Sequence, residues 1–274
     1  MLAFRKEHIE NKRIIITGGA SGIGKATAFG LAKKGAKLVL ASRDIDKLNQ
    51  LQGELKQTFP DMPYALTIKC DVTSEADIKN LIDTTLSELG GIDMLINNAG
   101  VGVYGEATGT TSDNLHHTME VNYFGPANCI FEVLPHMIKT HNGIIVNICS
   151  VAAIYGIPYM CAYCSSKAAL ASLGQTLRSE LMGKGIHIIN IYPGYTQTEF
   201  FTHEILTGGA RRPFGPYTRA DFVANKIIRA IEFRTPELII PIYGKALSVL
   251  KGVMPSLVRK TLYIISKKLK TEIK

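Results

Sequence analysis

Tyr163 and Lys167, in the stretch YCSSK, stand four residues apart and share one face wherever that segment is helical. A phenol ordinarily titrates near pH ~10. An ammonium one helical turn away favours the phenolate and draws that value toward working pH, which suits the pair to proton transfer at a carbonyl or alcohol oxygen. The spacing recurs in YIISK, Tyr263 to Lys267, so spacing alone does not choose between the two. Tyr155 and Tyr159 continue the four-residue series backwards, but Gly156 and Pro158 break any helix there. The helix of the first pair is therefore expected to begin near Tyr163 and run through SSKAALASLGQTLRSEL.

Seven short apolar runs are candidate strands: RIIIT (13–17), KLVLA (37–41), ALTIK (65–69), DMLIN (93–97), GIIVNI (143–148), IHIINI (186–191) and ELIIP (237–241). Runs apolar almost throughout suit strands covered on both faces. Between them lie helix signals: Asp44 opens DIDKLNQLQGELKQ, and Ser74 opens a segment that stops at Gly90. Alternation at this spacing implies an α/β fold, a doubly wound parallel sheet of about seven strands (a Rossmann fold). The chain reads as one domain, 1–244, followed by a basic helical tail, 245–274.

The first strand runs into Thr17-Gly-Gly-Ala-Ser-Gly-Ile-Gly24 and then into KATAFGLAKKG, a helix pattern. Glycines at a strand-to-helix turn let the backbone approach a pyrophosphate seated on the helix N-terminus. The second strand ends Ala41-Ser42-Arg43-Asp44, where a carboxylate would take ribose hydroxyls and an arginine a 2′-phosphate. Ser42 holds the expected acid position, Arg43 follows, and Asp44 is most economically a helix cap, which favours NADP(H).

The turn TGGASGIG is similar to the TGxxxGxG turn of the short-chain dehydrogenase/reductase family, and further landmarks follow in order: Asp71-Val72, Asn97-Asn98-Ala99-Gly100 and Pro193-Gly194. The resemblance covers about residues 12–240. It implies reversible hydride transfer between a nicotinamide and a carbonyl carbon, with four catalytic residues. Tyr163 is then general acid and base, Lys167 lowers its pKa, and Ser150, thirteen residues before Tyr163, orients the substrate. Asn122 supplies a backbone site for a water that links Lys167 to solvent; Gly125-Pro126 just beyond would distort the helix there. Cofactor contacts are implied at Gly18, Ser21, Gly22, Ile23, Gly24, Ser42, Arg43, Asp71, Val72, Asn98, Ala99, Gly100, Tyr163, Lys167, Pro193, Gly194 and Thr198, with no metal. Tyr263-Lys267 lacks this company, since thirteen residues before Tyr263 stands Leu250.

In such proteins the segment after Thr198 sets the substrate, here about 195–220. Phe200, Phe201, Ile205, Leu206 and Phe214 form an expected apolar lid hinged at Gly208-Gly209. Val103, Tyr104, Tyr155, Tyr159 and Met160 form expected apolar walls. These point to a lipid-, sterol- or retinoid-like carbonyl or alcohol. Arg211-Arg212 suggest the rival, a 3-oxoacyl thioester whose phosphates meet them. An NADP(H)-binding sensor or scaffold is a third reading, although no catalytic position is lost. A homo-oligomer through the helices holding Asn122 and Tyr163 is also implied by the resemblance.

Of the net charge of +8, all but one unit resides in the tail, where Lys245 to Lys274 carries eight basic residues against Glu272. The charge therefore does not argue for nucleic acid. Met254, Leu257, Val258, Leu262, Ile265 and Leu269 fall at helical spacing, so the tail either packs on the body or lies on an anionic membrane surface. Five scattered cysteines, Cys161-x-x-Cys164 included, form no disulfide framework, and MLAFRKEHIENKR has no secretory h-region. The expected location is cytoplasmic, with peripheral membrane association in the case that the tail lies on lipid and does not pack on the body.

Overall fold

The computed structural model describes residues 6–202, 205–206 and 217–271. Gly208, Gly209, Arg211, Arg212 and Phe214 lie outside the described residues. The seven apolar runs form one parallel sheet of β1 (Arg13–Thr17), β2 (Lys37–Ser42), β3 (Tyr64–Lys69), β4 (Met94–Asn97), β5 (Gly143–Ile148), β6 (Ile186–Tyr192) and β7 (Glu237–Ile239). Their order across the sheet is β7-β6-β5-β4-β1-β2-β3. The chain reverses its winding between β1 and β4, and at such a switch point the loops leaving the two strands diverge and open a crevice.

Helices α1 (Gly22–Ala32), α2 (Ile45–Thr58), α3 (Glu75–Leu89), α4 (Ser112–Met119), α5 (Gly125–Thr140), α6 (Cys161–Glu180) and α7 (Ala220–Glu232) cover the faces. Their ends follow the local chemistry. The Asp44 carboxylate accepts the Lys47 N–H, the Ser74 hydroxyl accepts that of Asp77, and Gly90 closes α3 with φ +70°. One apolar cluster joins β1 and β2 to α1, α2 and α7; another joins the opposite face to α3, α5 and α6.

A chain of buried amides pins α6 to the sheet. Asn97, Asn147 and Asn190 stand in register on β4, β5 and β6. The Asn97 amide donates to Asn147 (3.0 Å), Asn147 donates to Asn190 (3.1 Å), and Asn190 donates to the Ala171 carbonyl of α6 (2.9 Å). Gly174 lets the helix come this close. A Cβ there would stand 2.3 Å from Asn190 Oδ1 and 2.9 Å from Asn147 Nδ2.

The C-terminal segment is two helices, α8 (Ile242–Val253) and α9 (Pro255–Thr271), rather than one. The break falls at Met254-Pro255, where proline both restricts its predecessor and lacks an N–H. Gly174→Ala is expected to cost about 1–3 kcal/mol by overpacking, read as a lower urea midpoint with unchanged m. An unchanged midpoint would mean that the amide chain yields without cost.

Candidate active site

The crevice is floored by the turn after β1. The Thr17 hydroxyl accepts the N–H groups of Asn98 (3.1 Å) and Ala99 (3.2 Å), and Asn98 Nδ2 donates to the carbonyls of Thr17 and Gly18. The turn and the Asn-Ala-Gly segment after β4 are thereby one rigid unit. Gly18 has φ +63°, and a Cβ on it would lie 2.8 Å from Ala99 Cα. Gly24 serves a different end: its Cβ would meet Gly18 O at 2.4 Å and Asn98 Nδ2 at 2.5 Å, so the residue lets α1 pack on the turn. Unlike α2 and α3, α1 has no side chain on its first-turn N–H groups, since Ser21 makes no capping bond. Those donors and the positive end of the helix dipole face the crevice.

Beside β2, the Asp44 carboxylate is spent on the cap, and its own N–H donates to Ser42 Oγ (3.3 Å). Arg43 and Lys47 line the crevice nearby, and Lys47 Nζ reaches Glu199 at 3.1 Å. Sequence reasoning passed over Lys47. Its position in the first turn of a helix that starts at the carboxyl edge of the sheet was the available signal.

At the other end, Ser150 ends the segment after β5 in extended conformation. Its Oγ accepts the Ala152 N–H (3.1 Å), which leaves its proton to be donated into the crevice. Tyr163 and Lys167 stand one turn apart on α6, with Nζ 6.0 Å from the phenol ring centroid. Lys167 is 4% exposed and donates to the Ile148 carbonyl (2.9 Å). Burial pulls its pKa down from 10.5 to about 8, only weakly opposed by the Cys149 thiol. Gly100 packs beside the Asn122 side chain, where a Cβ would stand 3.1 Å from Oδ1.

Asn122 sits in a π-helical turn, Glu120–Phe124, directly ahead of Gly125-Pro126. Its side chain brackets Val101, accepting the N–H (2.8 Å) and donating to the carbonyl (2.9 Å), and donates to Ser166 Oγ (3.0 Å). It braces the Gly100 loop against α6 and does not line the crevice.

One cavity of about 830 Å³ gathers all the other expected residues except Gly24: Gly18, Ser21, Gly22, Ile23, Ser42, Arg43, Asp71, Val72, Asn98, Ala99, Gly100, Ser150, Tyr163, Lys167, Pro193, Gly194 and Thr198. Of the expected apolar walls, Met160 lines it, as does Phe200 of the expected lid, joined by Ile157. Val103, Tyr104, Tyr155 and Tyr159 do not. Tyr155 packs under the segment with Leu170 and Tyr192, Tyr104 packs with Met160 and Cys164, and Val103 pairs with Ile205. Tyr159 takes φ +68° and donates its hydroxyl to the Ser266 carbonyl of α9 (3.1 Å).

The second pair, Tyr263-Lys267, lies on exposed α9, far along the chain from any strand end. Cys161 and Cys164 are free thiols, and burial pushes Cys164 up, away from the reactive range.

This crevice at the carboxyl ends of a doubly wound sheet, floored by a glycine turn and faced by Ser150, Tyr163 and Lys167, defines a class of α/β protein built for dinucleotides. The family profile described as short chain dehydrogenase matches residues 12–206, and the chain belongs to that oxidoreductase family. It is similar to the 3-oxoacyl-acyl-carrier-protein reductase of Thermotoga maritima, 33% identical over 226 residues, 80% of this chain and 90% of that one. Among solved structures it resembles a short chain dehydrogenase/reductase of Burkholderia phymatum in complex with NAD. There the TM-score is 0.82 and the identity 26%, over 92% of this chain and 96% of that one. It also resembles an alcohol dehydrogenase of Thermococcus sibiricus complexed with 5-hydroxy-NADP, with TM-score 0.75 and 25% identity over 84% and 96%.

The Lys167 charge gives a stability prediction. The folded chain holds fewer protons than the unfolded chain between pH 8 and 10.5, so burial of the ammonium costs most below pH 8 and less as pH rises through that window. Lys167→Met removes the charge at similar volume. It is expected to be more stable than wild type by about 1–3 kcal/mol near pH ~7, the difference shrinking toward pH ~10. A variant less stable than wild type near pH ~7, in urea titrations, would overturn this account of the charge.

Proposed function

We propose that the protein is an NADP(H)-dependent oxidoreductase interconverting a carbonyl and an alcohol, and that its substrate is apolar. The reading rests on one observation: Ser150, Tyr163 and Lys167 open into the same cavity as the bare N-terminus of α1.

The residues present fit the coenzyme. A backbone floor that a Cβ on Gly18 would fill and uncapped helix N–H groups suit a pyrophosphate. Bound coenzyme supplies or accepts the hydride. Asn98, Ala99 and Gly100 would flank it, and Asp71 and Val72 would border the adenine. Lys167 would hold the nicotinamide ribose, and Pro193, Gly194 and Thr198 the nicotinamide amide. Arg43, with Lys47 beside it, is the reader of a 2′-phosphate, because Asp44 is engaged in its cap.

In reduction, Ser150 donates a hydrogen bond to the substrate oxygen and holds it beside Tyr163. Tyr163 protonates that oxygen as charge develops on it, and takes the proton back in oxidation. Lys167, charged near neutral pH, favours the phenolate and so lowers the cost of each transfer. Asn122 keeps its side chain for bracing; its carbonyl, within the π-helical turn, is the place for a water that would pass a proton from Lys167 to solvent.

An apolar substrate is supported by the lining beyond Ser150, which is Ile157, Met160 and Phe200, the Phe200 ring 5.9 Å from that of Tyr163. The likeness to the Thermotoga 3-oxoacyl-acyl-carrier-protein reductase favours a second reading, a 3-oxoacyl thioester. A homo-oligomer through the helices holding Asn122 and Tyr163 is supported on the Asn122 side by the exposure of Leu115 on α4, Phe124 in the π-helical turn and Phe131 on α5.

Arg43→Ala is expected to weaken NADPH binding about ten- to a hundredfold and leave NADH unchanged. The binding is followed by coenzyme fluorescence, excited directly because the chain has no tryptophan. Equal losses for both coenzymes would remove Arg43 from the 2′ site. Tyr163→Phe is expected to lower turnover of apolar ketones with NADPH by about 10²–10⁴ without loss of coenzyme binding. Undiminished turnover would sink the assignment of Tyr163, and turnover of 3-oxoacyl thioesters alone would favour the second reading.

A further inference from the structure

The two C-terminal helices are amphipathic twice over. On α9, Val258 is buried, Leu262 and Ser266 are half-buried, and the Ser266 carbonyl takes the Tyr159 hydroxyl, so this stripe packs on the body. On α8, Leu247 and Gly244 pack against Val151 and its neighbours. The opposite side is apolar as well. Ile242, Ala246, Val249 and Val253 fall at i, i+4, i+7 and i+11, one line along α8. Ile242 is 82% exposed, Val249 68% and Val253 75%. Met254, Leu257 and Ile264 extend this exposed apolar surface across the break and along α9. Exposed Lys245, Arg259, Lys260 and Lys267 flank it, and no acidic residue occurs between Ile242 and Thr271.

We infer that this face docks on the surface of an anionic lipid bilayer, lying in the interface with its aliphatic side chains in the acyl boundary and its lysines among the headgroups. Three observations select this occupant. The face is aliphatic and lysine-flanked, whereas protein interfaces are rich in aromatic residues and arginine and poor in lysine. A second copy would set one unrelieved positive surface against another, while anionic lipid is complementary to it. No described helix is long and apolar enough to cross a membrane, so an interfacial position is the one that buries these residues.

The placement also concerns the cleft. The segment that carries the tail, through Ile154 and Tyr159, includes Ile157 and leads into Met160, both walls of the cavity. Docked helices would thus sit against the segment that supplies two walls of the apolar end of the cavity; that a membrane-dissolved substrate is the one supplied rests on the function proposed above.

The test is flotation of the full chain with vesicles of phosphatidylglycerol and phosphatidylcholine in equal parts, against phosphatidylcholine alone. Retention is expected on the anionic vesicles only, and reduced by high salt, which shortens the reach of the lysines. Val249→Ser with Val253→Ser, and separately Lys245→Gln with Lys260→Gln, are each expected to weaken retention about tenfold or more. Circular dichroism and melting show that the variants are folded, so the result does not depend on catalysis. No retention of the folded wild type would overturn the inference. So would retention unaffected by the valine pair, or a valine pair that instead dissociates an oligomer in light scattering.

Discussion

A buried ammonium with no acid beside it is the constraint around which the site is organised. Among the described residues, no ion pair involves Lys167, and its hydrogen-bond acceptor is the neutral Ile148 carbonyl. A carboxylate in that place would stabilise the fold but would also cancel the field that acts on the Tyr163 phenol. The fall of the lysine pKa from 10.5 to about 8 corresponds to roughly 3 kcal/mol of disfavoured charge. That is a large fraction of a domain's net stability. The surrounding structure holds the group in place regardless: β5 presents the Ile148 carbonyl, and the Asn97-Asn147-Asn190 chain keeps α6 from drifting off the sheet.

The parallel sheet explains why residues so far apart in sequence meet. Every strand delivers its carboxyl end to the same edge, so Thr17, Ser42, Asp71, Asn98, Ser150 and Pro193 all follow strand ends along one crevice. The edge then divides by charge. Next to β2 and β3 stand Arg43, Lys47 and Asp71, in a wet and exposed setting. Next to β5 and α6 the lining is apolar and Lys167 is the buried charge. A single cavity can thus accept a strongly anionic molecule at one end and an apolar one at the other.

Much of this was legible in the chain. The seven apolar runs became the seven strands within a residue or two, because strands covered on both faces leave an unbroken apolar signature. Asp44, Ser74 and Gly90 marked helix ends because capping is local chemistry. The walls of the cavity were less legible. Tyr155, Tyr159, Val103 and Tyr104 lie near the motifs in sequence, yet proximity along a chain does not say which way a ring turns. Tyr155 falls beneath its segment, and Tyr159 is turned outward to α9 by a left-handed backbone. The break in the tail was written in Met254-Pro255, but a continuous apolar period masked it.

Among the described residues, Lys47 of α2 and Glu199 beyond Thr198 form a charged contact across the mouth of the crevice. Both side chains are about half exposed. Such a pair contributes roughly 0–1 kcal/mol, less than a factor of ten in any open-to-closed equilibrium. A multiply charged phosphate arriving at Arg43 would compete for Lys47 on better terms than a lone carboxylate does. The banks are therefore set by what each is built on. The Lys47 side rests on a capped helix and the rigid Thr17-Asn98 unit, and the Glu199 side on the short pairings of Thr196-Gln197 with Thr218-Arg219 and of Val103-Tyr104 with Ile205-Leu206. The first bank is thus continuous with the main sheet, whereas the described part of the second is paired in short parallel ladders outside it.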